Sequence, residues 1–191
     1  HQKIDQLSIL EKEVIRLLLL YGNENVEFIE DVINEDEDGN ETITLRKYTN
    51  KVSAEIYLHL HDDEIEFTNP IFQEIYNIII HQLNQSENIE IDKLVNHENS
   101  TISKEVTSIL MDEEKYNLSE WERRNIFVKE TVEVLPKAVN DTVYNLRRIL
   151  IDQLINKLLD ADKNYTNDEK EEIVNYNALR IRLFEKLNRV V

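Results

Sequence analysis

His59, His61 and Asp62 place two imidazoles and a carboxylate close together, the side-chain types that hold the metal in helical metal-dependent phosphohydrolases. Such a centre draws further ligands from neighbouring helices, and His81 and Asp92 are the nearest candidates. Positions 59 and 61 lie two apart, and on a helix residues so spaced face different sides rather than one metal. The residues themselves favour surface histidines. Asn34, Asp36, Asp38 and Gly39 match the first, third, fifth and sixth positions of a calcium loop. The twelfth position, which should supply a bidentate Glu, is Leu45, and the eighth is Glu41 rather than an apolar residue. The match fails where most of the binding energy lies, so a solvated acidic turn is expected there.

Acidic runs such as Asp62-Asp63-Glu64 and Asp112-Glu113-Glu114 are too frequent to single out a catalytic pair. With only two Gly, the chain lacks a glycine-rich phosphate loop and the backbone nests of most nucleotide sites. It has no nucleophile elbow and no His-Glu-x-x-His helix. The absence of Cys removes thiolate ligands, thiol nucleophiles and disulfides, which fits a reducing compartment. A non-catalytic chain without metal or cofactor is expected.

The formal charge of -17 is unevenly spread. Residues 1–135 hold 12 Lys and Arg against 30 Asp and Glu, and residues 136–191 hold 10 against 9. An acidic body repels phosphate backbones, whose binding depends on cations displacing counterions. Direct nucleic-acid binding by the body is therefore not expected. The longest apolar run, Leu17 to Tyr21, falls far short of the roughly 20 residues that span a bilayer. No charged and then hydrophobic export segment opens the chain, and a cytoplasmic protein without membrane contact is expected.

Two Gly and two Pro in 191 residues leave little turn punctuation, which points to long helices and an all-α fold. Ser8 and Glu11 have capping-box spacing at the head of a helix that is apolar nearly all round and closes at Gly22, taken as left-handed. Such a helix belongs at the centre of a bundle. A second helix is predicted over 24–33, with Phe28, Ile29, Val32 and Ile33 as its stripe, and a third over 51–60. Asn69-Pro70 starts a fourth. Short helices over 89–95 and 100–111 follow, and Ser119-Glu120-Trp121-Glu122 is another capping box. Pro136 is expected to open a long helix with the stripe Val139, Val143, Leu146, Leu150, Leu154 and Leu158. Thr166-Asn167-Asp168-Glu169 caps a last helix with Ile173, Tyr176, Leu179, Leu183 and Leu187 as its stripe. A short polar link between two long helices makes an antiparallel hairpin.

Val174, Ile181, Phe184 and Val190 lie off that last stripe. Two helices alone cannot bury apolar residues on several faces. Either these residues pack back on the acidic body, or they form a patch, rimmed by Arg180, Arg182, Lys186 and Arg189, that docks a partner.

The opening Leu10-Glu11-Lys12-Glu13-Val14-Ile15-Arg16-Leu17-Leu18-Leu19-Leu20-Tyr21-Gly22 resembles the first helix of the C-terminal region of bacterial DnaG-type DNA primases. Phe67-Thr68-Asn69-Pro70-Ile71-Phe72-Gln73-Glu74-Ile75 resembles a later stretch of the same region. The segment from Leu135 to Leu158, with Arg147-Arg148, is similar to the family's long linking helix. The order of these pieces holds over nearly the whole chain, although its acidity and the connection from Asp36 to Tyr48 depart from the family pattern. The resemblance implies a helical bundle, here 1–135, followed by a helical hairpin, 136–191. It implies a primosome role, docking on the replicative DnaB-type helicase, with single-strand DNA-binding protein a further candidate partner and catalysis in domains that precede this region. Ile173, Tyr176, Arg180, Phe184 and Leu187 are the contact candidates. The rival readings are a phosphohydrolase centred on His61 and Asp62, and a helical adaptor of an unrelated complex.

Overall fold

A computed structural model describes residues 5–35, 39, 41–61, 66–118, 124–159 and 165–189; of 41, 113–118, 124–133 and 188–189 it describes the backbone alone. The chain is mostly helical, with one small sheet. Helices α1 (Gln6–Tyr21), α2 (Val52–His61), α3 (Pro70–Ser86), α4 (Ile91–Val95), α5 (Ser100–Leu118), α6 (Arg124–Leu158) and α7 (Asn167–Arg189) are joined by strands β1 (Asn25–Glu35) and β2 (Glu41–Lys51).

Helix α1 occupies the centre, as its all-round apolar sequence implies. Val14, Ile15, Leu17 and Leu18 are sealed from water, and α2, α3, α5 and α6 pack around it. Each such side chain contributes about 1.5–3 kcal/mol through burial. Its cap differs from the expected Ser8–Glu11 box. Asp5 is the N-cap, and its carboxylate accepts from the amides of Leu7 and Ser8. Glu11 lies one turn too deep to cap α1 and is fully buried. Its carboxylate accepts from the backbone and hydroxyl of Thr68 and from the Asn69 amide at 3.1 Å, which fixes the approach to α3. Asn69 caps α3 through Ile71, with Pro70 at the first turn, as Asn-Pro foretells.

Gly22 is not left-handed either, with φ -57° and ψ -28°. A Cβ there would lie 2.4 Å from the Ile89 methyl and 2.3 Å from the Leu18 carbonyl oxygen. The close approach follows from Asn23, whose side-chain amide pairs with both backbone groups of Ile89 at 3.0 and 2.8 Å.

The predicted helix over 24–33 is instead β1, and the expected loop that follows contains β2. The two pair antiparallel along their whole length, Asn25 with Lys51 through Glu35 with Glu41. Phe28, Ile29, Val32 and Ile33 fit a helical stripe, yet along β1 it is burial that alternates, with Val26 and Phe28 inward. The β-branched and aromatic residues Thr42, Ile43, Thr44, Tyr48 and Thr49 supply a strand for it to pair with. At the root of this hairpin, Val26 and Phe28 enter the core and Phe28 stacks on Tyr48, with ring centroids 5.8 Å apart. The fold is therefore not purely α.

Pro136 does not open the long helix; α6 starts at Arg124 and runs through it. Proline inside a helix costs about 3 kcal/mol. Leu135, Val139, Val143 and Leu146, buried against the bundle on either side of it, offset that cost. Farther on, Tyr144, Ile151 and Ile155 turn to a second cluster shared with Leu183 of α7, so α6 serves both cores. Contacts of Asp152 with Arg180 and of Tyr144 with Lys186 set α6 and α7 antiparallel. The capping box of α7 forms as expected: Thr166 hydroxyl accepts from the Glu169 amide, and Glu169 accepts from the Thr166 amide at 3.0 Å. The box at Ser119–Glu122 lies outside the described residues. Among the described residues no helix is long and apolar enough to cross a membrane.

Candidate docking surface

On α7, Leu183 is 2% exposed, with Tyr176, Leu179 and Leu187 packed beside it against Tyr144, Ile151 and Ile155. This seam sorts the contact candidates. Tyr176 and Leu187 belong largely to it, Ile173 is half-buried, and only Phe184 among the apolar candidates stands out, 57% exposed. Arg180 reaches back to Asp152 at 3.3 Å. Val174 and Ile181, 65% and 56% exposed, lie seven residues apart and so on one side of α7, with Phe184 one turn beyond. Val174, Ile181 and Phe184 do not pack on the acidic body. They form an open apolar line.

A groove of about 390 Å³ runs beside this line, walled by Arg148 and Asp152 of α6 and by Arg180, Ile181, Phe184 and Glu185 of α7. Of the expected basic rim, Arg182 is exposed, whereas Lys186 lies 5.3 Å over the Tyr144 ring in a cation–π contact. Val190 and the side chain of Arg189 lie outside the described residues.

The chain belongs to a family of unknown function.

Its model, "Domain of unknown function (DUF8430)", matches residues 1–190. Comparison with curated proteins and with solved structures returns no match.

In this DUF8430 member the histidines do not converge. His59 is not a surface residue but is largely buried on α2. Its Nδ1 lies 3.1 Å from the Arg147 guanidinium, which can only donate, so Nδ1 accepts and the ring proton sits on Nε2. Nε2 donates to Glu55 at 3.1 Å, leaving neither nitrogen for a metal. His61 is exposed and stacks on Tyr57, and His81 pairs with Gln85 at 2.9 Å. Asp62 lies outside the described residues, as do Asp36 and Asp38 of the calcium-like turn. Asn34 of that turn spends its amide on Thr44 at 2.8 Å, across the strand pair. Among the described residues no three potential ligands gather.

Sequence reasoning missed the polar cluster around Glu55. Its buried carboxylate accepts from Tyr48 at 2.7 Å, Asn50 at 2.9 Å and His59. Burial favours the neutral acid, but the hydrogen bonds from His59, Tyr48 and Asn50 together prevail and hold its pKa below the ordinary carboxylate value. Burial and the hydrogen bond to Glu55 in turn push the Tyr48 phenol well up. The cluster couples β2, α2 and, through Arg147, α6. An isolated Glu in a helix gives no signal of this, because its donors meet only once the chain turns from β2 into α2 and the helix is buried against α6.

Proposed function

We propose that this chain is the helicase-docking C-terminal region of a DnaG-type DNA primase, and that α7 presents its docking face. The observation that carries the reading is the division of α7 into two sides. One side is closed against α6 by Leu183 and its neighbours, and the other leaves Val174, Ile181 and Phe184 in line and open to water. An exposed apolar line on a charged molecule marks a surface that is covered by a partner. The ordered likeness of Leu10–Gly22, Phe67–Ile75 and Leu135–Leu158 to primase sequences supports a DnaB-type helicase as that partner. The mechanism is recruitment: docking raises the local concentration of the polymerase domains at the fork without adding chemistry. Catalysis belongs to those preceding domains.

Size-exclusion chromatography of the chain with its cognate helicase tests this. Co-elution at tens of micromolar, lost in the double variant I181S/F184S, is the expected result. No co-elution of the unaltered chain, or undiminished co-elution of the variant, defeats it.

A further inference from the structure

Beyond its root, the β1–β2 hairpin carries a second unpartnered apolar face. Residues opposite each other in an antiparallel pair share a face, and alternate residues of each strand do so too. Ile29 and Ile33 of β1 therefore lie with Ile43 and Leu45 of β2, since Ile33 faces Ile43 and Asp31 faces Leu45. All four are exposed, from 51% at Ile29 to 72% at Leu45. Four aliphatic residues clustered on one face are not the scattered exposure of an ordinary surface.

The same face carries Glu27, Asp31 and Glu35, so β1 reads acid, Ile, acid, Ile, acid along it, and Lys47 is paired with Glu27 at 2.7 Å. Residues 25–51 hold eight Asp and Glu against three Lys and Arg. Lys51 continues the alternation of Ile43, Leu45 and Lys47, and it lines an apolar groove of about 300 Å³ at the hairpin's foot with Ala54, Tyr57, Ile80 and Leu83. The aliphatic face and the groove thus lie toward the same side of β2.

A sheet with one uncovered apolar face is half of a layered structure, and a helix with a matching stripe completes such a layer without needing further strands. The acidic flanks require that helix to be basic. A second copy of a molecule charged -17 supplies the wrong sign over most of its surface. We propose that the outer face of the β-hairpin docks a basic amphipathic helix of a partner protein, its aliphatic stripe on Ile29, Ile33, Ile43 and Leu45 and its cations toward Glu27, Asp31 and Glu35. This surface is built from other residues than the α7 face and does not depend on the helicase reading.

The probe is a synthetic helical peptide of about 18 residues with Leu at helical spacing and Lys elsewhere, compared with a scrambled peptide of the same composition. Binding to the whole chain is read by fluorescence anisotropy at physiological ionic strength. The striped peptide is expected to bind about tenfold or more tightly than the scrambled one. The variant I29S/I33S/I43S/L45S, which leaves every charge in place, removes the difference. L45S alone, at the most exposed of the four positions, keeps the fold and weakens the striped peptide about threefold. Equal binding of the two peptides reduces the face to non-specific charge and overturns the proposal, as does unchanged binding by L45S. So does sedimentation showing a dimer that L45S dissociates, which assigns the face to a second copy. Loss of the striped peptide in F184S but not in L45S moves the site to α7, leaving the helicase reading intact.

Discussion

Glu55 lies where water hardly reaches, yet three donors from two elements converge on its carboxylate. That arrangement makes its ionised form a structural part. Because its folded-state pKa lies below the ordinary value of 4.5, it contributes stability that is fully present above that pH and is lost as pH falls through the folded value. The variant E55Q keeps the size of the side chain but sets an amide donor against the donors of Tyr48, Asn50 or His59. It should cost about 1–3 kcal/mol at neutral pH. In urea unfolding at a series of pH values, the gap between E55Q and the unaltered chain should narrow below pH 4.5; a constant gap would show that the charge of Glu55 contributes nothing.

Helix α7 divides into a side closed against α6 and a side open to water. Leu183 fills the seam with α6, whereas Phe184, its neighbour in sequence, points away from it. L183A should destabilise the chain by about 2–4 kcal/mol through lost contacts and the cavity left behind. F184S should leave urea unfolding unchanged within about 0.5 kcal/mol. Equal effects of the two would mean that the outer line is also covered within the chain. The β-hairpin is the element least legible beforehand. Its pairs join residues up to 26 apart, such as Asn25 with Lys51, so no local window contains both halves of the signal. Residues 26–33 fit a helical stripe better than an alternating one, and the strand forms because a pairing partner is found. The capping box of α7 shows the opposite case, since Thr166 and Glu169 satisfy each other within one turn.

The molecule as a whole is strongly acidic, and its near-neutral part is confined to the last 56 residues. Such a chain should not shift double-stranded or single-stranded DNA in a gel assay at micromolar concentration and physiological salt. A shift under those conditions would point to the near-neutral last 56 residues, where Arg180, Arg182 and Lys186 lie, as a cationic surface. Composition, charge and helical periodicity alone specified a helical chain with α1 at its centre, the Asn69–Pro70 start of α3 and a last helix with more apolar residues than one seam can bury. These are local properties, set by residues within a turn or two of each other and by sums over the chain. The roles of Glu11, Gly22, Glu55 and His59, the pairing of β1 with β2, and the assignment of Phe184 rather than Tyr176 to the open side depended on the folded arrangement. For Glu11, Gly22 and His59 the deciding partner is far away in sequence; for Glu55 the partners are near but meet only where β2 turns into a buried α2. Burial is a property of what covers a residue, which its own type does not state.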